Sequence, residues 1–543
     1  MSSFSASRVA LAAAVVIASV PTLRAAGEAQ RAATPGVCES LASLTLPNAS
    51  VTSAQGIAAG SFTPPASGAS PLTRLPAFCR IAATLTPTSD SDIRIEVWMP
   101  ASGWNGKFQA VGNGGWSGAI AYSAMAVALE SGYATSSTDT GHSGSSARFA
   151  LGHPEKLVDF GYRSVHEMTL TAKTLIAAFY GDAPRLSYWR GCSAGGRQGL
   201  KEAQQFPADF DGIIAGAPAA DWTGRAATAM RVAQALRKDD ASNIPREKYP
   251  LLHAAVLEHC DALDGVKDGV LEDPKRCRFD PGVLECRDAD SSACLTPSQV
   301  AAAREIYSAA TNPRTKRDIT GLEPGSELGW ATWGGAQPFA IGLEHFRYIV
   351  FRDPNWDVRR FTFGTDVVRA EEIDGGTINA LDPNLSAFFS RGGKLLQYHG
   401  WSDPQISPGN SVQYYQRVAA AMGGADAIGR SYRLFMVPGM AHLRRWRGAK
   451  QLRRRGRARA MGRARHGPGS DRRVESARRQ DRSDSPAVSV STGRGVPRHR
   501  QHGRCGQFRL PPRRISAAMK HVGPLCGSLR ELCSTQKMNF TIT

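Results

Sequence analysis

The chain has little that would hold it in a membrane. Its apolar run near the start, Val9–Val20, is too short to span a bilayer, and no later stretch is long enough. Internal repeats are missing as well, which excludes a repeat architecture. Acidic residues almost vanish from the last hundred positions, where residues 443–543 hold 26 Lys and Arg against 5 Asp and Glu. The totals of 66 and 47 therefore leave 40 basic and 42 acidic residues in 1–442, so the net charge of +19 belongs to the tail. The body gives no reason to expect a nucleic-acid partner. What is present, 42% hydrophobic residues with scattered Gly and Pro over 543 residues, fits a soluble globular protein larger than one average domain.

The opening segment combines Arg8, the apolar run and small residues around Ala25 and Ala26. That pattern reads as a signal peptide over 1–26, and the expected location is periplasmic or secreted. Ten cysteines agree with export into an oxidising compartment. Seven of them precede residue 443, an odd number that leaves one thiol over.

Residues 27–90, rich in Ser, Thr, Pro and Ala, read as a loosely structured approach. From Ile93 onward, strand-like segments such as "IRIEVWMP", "KFQAV", "YATSST" and "RLSYWRGC" alternate with helical ones such as "EMTLTAKTLIAAFYG". Two further strands come late, in "KLLQYHGWSDP" and "YRLFMVPGMAH". Strands alternating with helices imply an α/β fold with a doubly wound, mostly parallel sheet. The text between about 220 and 390 has helical pieces, four closely spaced cysteines and an aromatic-rich run, and reads as an insertion. Trp330, Trp333, Phe339, Phe346, Tyr348, Phe351 and Trp356 of that run offer surfaces for stacking a ring, and most of them read as core.

"GCSAG" (Gly191–Gly195) follows a strand and precedes a helix-capable segment. A serine on such a sharp strand-to-helix turn is exposed as a nucleophile, whereas the plain alternative is a glycine turn with a structural serine. A nucleophilic serine requires a base, and the base requires an orienting carboxylate. Asp403 and His442 stand just past the two late strands, in the chain order a doubly wound hydrolase uses. The backbone N–H of Ala194 and one from "VGNGGW" (Val111–Trp116), at Gly114 or Gly115, would form an oxyanion hole.

"GCSAGG", "HGWSDP", "PGMAH" and "WNGKF" followed by "GNGG" together resemble the tannase and feruloyl esterase family of α/β-hydrolases over about 35–442. The resemblance implies a serine esterase using Ser193, His442 and Asp403 on small esters of aromatic acids, feruloyl or galloyl esters. A terephthalate monoester is the alternative substrate. It further implies a large inserted lid over 220–389, between core segments 27–219 and 390–442. It places a structural Ca²⁺ on the lid loop "CDALDGVKDGVLEDPKRC", held by the side chains of Asp261, Asp264 and Asp268 and the carbonyls of Val266 and Val270. It pairs Cys38 with Cys79, Cys260 with Cys277 and Cys286 with Cys294, which leaves Cys192 alone. Nothing in the sequence sets an oligomeric state.

The departure from the family comes after His442. There the family has a cysteine, disulfide-bonded to the one before the nucleophile, and this chain has Leu443. Codons CTG CGG CGG TGG CGC GGG for residues 443–448, read one nucleotide later, encode Cys-Gly-Gly-Gly-Ala-Gly. A one-nucleotide insertion near codon 443 is therefore the expected origin of the tail, and resequencing the gene there tests it. As written, 443–543 has no apolar face to bury and is expected to be disordered. The rival readings are a nucleic-acid-binding arm for the tail, a polysaccharide-binding module, and a catalytically impaired enzyme for the whole chain.

Overall fold

A computed structural model describes residues 35–442 apart from positions 67 and 336. The expected signal peptide (1–26) and the tail (443–543) lie outside the described residues. Nine strands form the large sheet: β1 (Ala49–Ile57), β2 (Phe78–Leu85), β3 (Ile93–Pro100), β4 (Lys107–Val111), β5 (Ala134–Thr138), β6 (Leu186–Cys192), β7 (Gly212–Gly216), β8 (Lys394–Gly400) and β9 (Tyr432–Val437). Their spatial order is β1-β2-β3-β5-β4-β6-β7-β8-β9. The first three strands run antiparallel and β3 meets β5 antiparallel, while β5, β4, β6, β7, β8 and β9 are parallel. Every residue of β5 and β7 is buried, as happens when both faces of a parallel sheet are covered.

Helix α1 (Ser164–Tyr180) places Val165, Met168, Ala172, Leu175, Ile176 and Phe179 on one buried face and stops at Gly181, whose φ of 78° permits the left-handed cap. Helix α2 (Ala194–Gln205) leaves the end of β6. Phe108, Trp189, Ile213, Leu395 and Leu434 of the strands pack with Leu175 and Ile176 of α1 and Leu200 of α2.

The stretch 27–90 departs from its loose reading, because it supplies β1 and β2. Strand β1 ("ASVTSAQGI") is a sheet-edge strand with mostly small residues and half-exposed positions, so its apolar alternation is faint in the sequence. Pairing decides the matter: β1 aligns with β2 from Ala49↔Leu85 to Ile57↔Phe78, and Cys38–Cys79 ties the preceding helix to β2.

Between β7 and β8 the chain leaves the large sheet. Here lie α3 (Trp222–Leu236), α4 (Tyr249–Cys260), α5 (Pro297–Tyr307) and α6 (Phe363–Asp374), and α7 (Pro408–Ala421) follows β8. The helices α3–α6 enclose a core of their own, including Met230, Ala233, Leu252, Val300, Ile306, Trp330, Phe346, Trp356 and Val367. Thr296 and Gln299 form a capping box that starts α5. The segment 261–296 has only short 3₁₀ turns, and the disulfides Cys260–Cys277 and Cys286–Cys294 constrain it, in the pairing the resemblance implies.

Glu323 lies where this insertion meets α7, close to Gly409. Burial raises its carboxyl from 4.5 to about 7, with Lys275 opposing and Asp273 adding to the rise. The native state then holds a proton between these values that the unfolded chain has lost, so stability falls as pH rises through that window. Glu323→Gln removes the penalty. Its Tm advantage over the parent chain is expected to grow by about 2–4 °C between pH 5 and pH 8, measured by thermal scans, and an unchanging difference would refute the assignment.

Candidate active site

Ser193 occupies the turn between β6 and α2 with φ 60° and ψ −120°, a backbone conformation that L-residues other than Gly seldom adopt. Surrounding bonds fix it: its N–H donates to the Gly216 carbonyl at 2.9 Å, and its own carbonyl accepts from Arg197 and Ala219 at 3.1 Å. The turn is too tight for a side chain at Gly191, where a Cβ would fall 2.2 Å from the Gly195 carbonyl oxygen.

Asp403 follows β8, His442 follows β9, and the parallel sheet brings both loops to the end where Ser193 stands. His442 Nε2 lies 3.2 Å from Ser193 Oγ, and its Nδ1 lies 2.7 Å from Asp403 Oδ2. The carboxylate accepts only, so Nδ1 carries the proton and Nε2 is free to take one from the hydroxyl. The other oxygen of Asp403 accepts the backbone N–H groups of Gln405 and Ile406 at 2.8 and 3.1 Å. Burial pushes the Asp403 carboxyl up, but hydrogen bonds from His399 and His442 outweigh it and hold the group well below the usual carboxylate range.

His399 is the participant that sequence reasoning passed over. It is fully buried on β8, with Nε2 at 3.1 Å from both Asp403 Oδ2 and the Ile406 carbonyl, and Nδ1 at 2.7 Å from Ser411 Oγ on α7. Two acceptors at Nε2 fix the tautomer, so His399 donates to the oxygen that His442 also uses. The inserted segment braces the same loop: Trp333 donates its indole N–H to the Pro404 carbonyl, and Arg225 Nε donates to the Gln405 carbonyl at 2.9 Å.

The "VGNGGW" loop is held against α2. Asn113 N–H donates to Gln198 Oε1, Gln198 Nε2 donates to Asn113 Oδ1, and Gly195 N–H donates to the Asn113 carbonyl at 2.8 Å. Gly114 borders open space, while Gly115 has φ 53° and lies under Ile341. Ala194, the first residue of α2, packs in a cluster with Trp116, Phe160, Trp222, Ile349, Ile378 and Ile406. Asn113, Gln198, Trp116 and Trp222 carry no signal of their own in the sequence beyond proximity to glycine turns.

Of the aromatics in the 330–356 run, Trp330, Trp333, Phe346 and Trp356 are buried in the insertion's own core, Phe339 and Phe351 pack at its margin, and Tyr348 borders the cluster around Ala194. Arg197, fully buried on α2, donates to the carbonyls of Phe160, Gly161 and Ile378 and so ties the helix after Ser193 to a π-helical turn and to the chain returning from the insertion. Among the described residues Cys192 has no disulfide partner; its Sγ lies 3.0 Å from the Tyr398 hydroxyl, and burial raises its pKa.

On the acidic loop, Asp261 accepts from the backbone N–H groups of Gly269 and Val270 at 2.9 and 3.2 Å, and Asp264 accepts from Val266 N–H at 2.9 Å. Burial, then the charges of Asp261 and Asp264, raise the Asp268 carboxyl. Asp268 thus feels the charge of both neighbouring carboxylates, and carboxylate oxygens are the ligand type a hard divalent cation takes.

The sequence model described as "Tannase and feruloyl esterase" matches residues 79–450. An uncharacterized esterase of Xanthomonas campestris pv. campestris is 39% identical over 443 residues, covering 76% of this chain and 77% of that protein. The crystal structure of feruloyl esterase B from Aspergillus oryzae superposes with a TM-score of 0.72 at 35% identity, over 76% of this chain and 84% of that one. Tannin acyl hydrolase from Aspergillus niger, at 22% identity and TM-score 0.62 over 76% and 82%, shares the fold. With its α/β-hydrolase sheet, this chain belongs to the tannase and feruloyl esterase family and is a carboxylic ester hydrolase.

Proposed function

We propose that the chain hydrolyses esters of aromatic acids, feruloyl or galloyl esters among them, through Ser193, His442 and Asp403. The observation that carries this reading is the hydrogen-bonded line from Ser193 Oγ through His442 to Asp403. Ser193 Oγ attacks the ester carbonyl while His442 Nε2 takes its proton. The carbonyl oxygen gains negative charge and is met by the N–H of Ala194 and that of Gly114 or Gly115. His442 returns the proton to the departing alcohol, and a water then repeats the sequence on the acyl-enzyme. Asp403 stays ionised and stabilises the imidazolium. The aromatic cluster around Trp116 and Trp222 supports an aromatic acyl group. Hydrolysis of methyl ferulate, methyl gallate and monomethyl terephthalate, followed by chromatography of the released acids, tests the reading; turnover of none of them would overturn it. The impaired-enzyme reading rests on Cys192, which has no disulfide partner among the described residues, and the same assay decides it.

His399→Leu is expected to lower kcat about 10²-fold with KM little changed, since it frees Asp403 to shift against His442. Unaltered steady-state kinetics in a folded variant would show that Asp403 holds its place without it.

The loop side chains Asp261, Asp264 and Asp268 with the carbonyls of Val266 and Val270 would hold Ca²⁺, which would supply structural cross-linking of the lid loop. Chelation with EDTA is expected to lower Tm by about 4–8 °C, reversibly on adding Ca²⁺; a Tm indifferent to both removes the ion from the account. The three disulfides agree with a periplasmic or secreted location.

A further inference from the structure

Arg225 stands out among the buried charges of this protein. It is 6% exposed, yet its side-chain hydrogen bonding among the described residues amounts to one bond from Nε to the Gln405 carbonyl, and its Nη2 is buried with no partner there. Arg197, equally deep, is matched by three carbonyls, and Arg317 by the Asp221 carboxylate. The Asp403 carboxylate attracts the guanidinium but has its oxygens committed to His442, His399 and two backbone N–H groups. A buried cation this poorly matched is costly to keep unless something else supplies an acceptor.

A second donor lies beside it. Trp222 precedes Arg225 by three residues on α3, hence on the same helical face, and its indole N–H is also buried without a partner among the described residues. The Arg225 guanidinium lies 4.8 Å from the ring centre of Phe339 and 5.9 Å from that of Trp222. Trp222 in turn packs 4.6 Å from Trp116, the residue after Gly115. Thus two unmatched donors adjoin the acid loop, the proposed oxyanion loop and the lid, and aromatic rings flank the guanidinium. Both groups donate, so what completes them must accept.

We propose that Arg225, with Trp222 Nε1, forms a subsite for an anionic oxygen on the substrate: a carboxylate on the aromatic acyl group, remote from the scissile ester. A planar guanidinium between rings suits an aryl carboxylate in both charge and shape. This subsite rests on the esterase reading for its biological use, but its binding chemistry is measurable without turnover.

The experiment uses the full chain carrying Ser193→Ala, titrated calorimetrically with monomethyl terephthalate, which bears the carboxylate, and with dimethyl terephthalate, which does not. The anionic monoester is expected to bind at least about tenfold tighter, and adding Arg225→Met should erase that preference while leaving the neutral diester unchanged. Arg225→Lys keeps the charge but loses the fork and should retain part of the preference. Where turnover is present, the kcat/KM ratio of monoester to diester should fall at least about tenfold in Arg225→Met. Equal affinity of the Ser193→Ala protein for the two esters overturns the proposal without any Arg225 variant. Equal losses for both esters in Arg225→Met also overturn it, since they would assign the guanidinium to bracing Asp403.

Discussion

Ser193→Ala is expected to lower kcat for methyl ferulate by about 10⁶-fold, the largest effect any single replacement in this chain should have. In the proposed reaction the hydroxyl is the atom that would form the acyl-enzyme, with His442 Nε2 3.2 Å away to take its proton. The fold should survive the change. The Ser193 N–H bond to Gly216 and the carbonyl bonds to Arg197 and Ala219 are main-chain interactions that alanine preserves. Near-UV circular dichroism of the variant should therefore match the parent, with the residual rate coming from the oxyanion donors. A variant retaining a tenth of the parent kcat would remove Ser193 from the chemistry.

Asp403→Asn should cost about 10⁴-fold in kcat, less than loss of the nucleophile but far more than a surface charge would. The carboxylate accepts four hydrogen bonds, two from imidazoles on Oδ2 and two from backbone N–H groups on Oδ1. An amide can keep one oxygen facing the backbone donors only by turning its NH₂ toward His442 and His399. That orientation forces His442 to accept at Nδ1 and carry its proton on Nε2, where it can no longer take one from Ser193. KM should change little, because the substituted atom faces the imidazole and leaves substrate contacts alone. Steady-state kinetics check the split, and a kcat within tenfold of the parent would show that Asp403 does not set the tautomer.

The elbow was legible because three local signals agree there: a strand, glycines that exclude side chains, and a helix-capable segment behind them. Asp403 and His442 were legible through chain order, each following an apolar strand. His399 was not, since a histidine inside a buried strand gives no sign of which oxygen it faces until β8 and α7 are packed together. Arg225 was hidden for a similar reason: on α3 it reads as one polar residue on a helix, and only tertiary burial reveals it as a cation whose side chain makes one hydrogen bond among the described residues. Strand β1 escaped because its small, hydroxyl-rich residues owe their strand state to pairing with β2 rather than to apolar alternation. The aromatics of the insertion show the converse, since an aromatic-rich run announces burial but does not say whether the covering surface is the insertion's own core or the site.

A p-nitrophenyl alkylphosphonate tests the central claim most directly, because it reacts with an activated serine and releases one p-nitrophenolate per site. Intact mass and peptide mapping of the full chain should show one adduct, on the peptide containing Ser193, and none in His442→Ala. Labelling at another residue, or an adduct on Ser193 that forms equally fast without His442, would contradict the account.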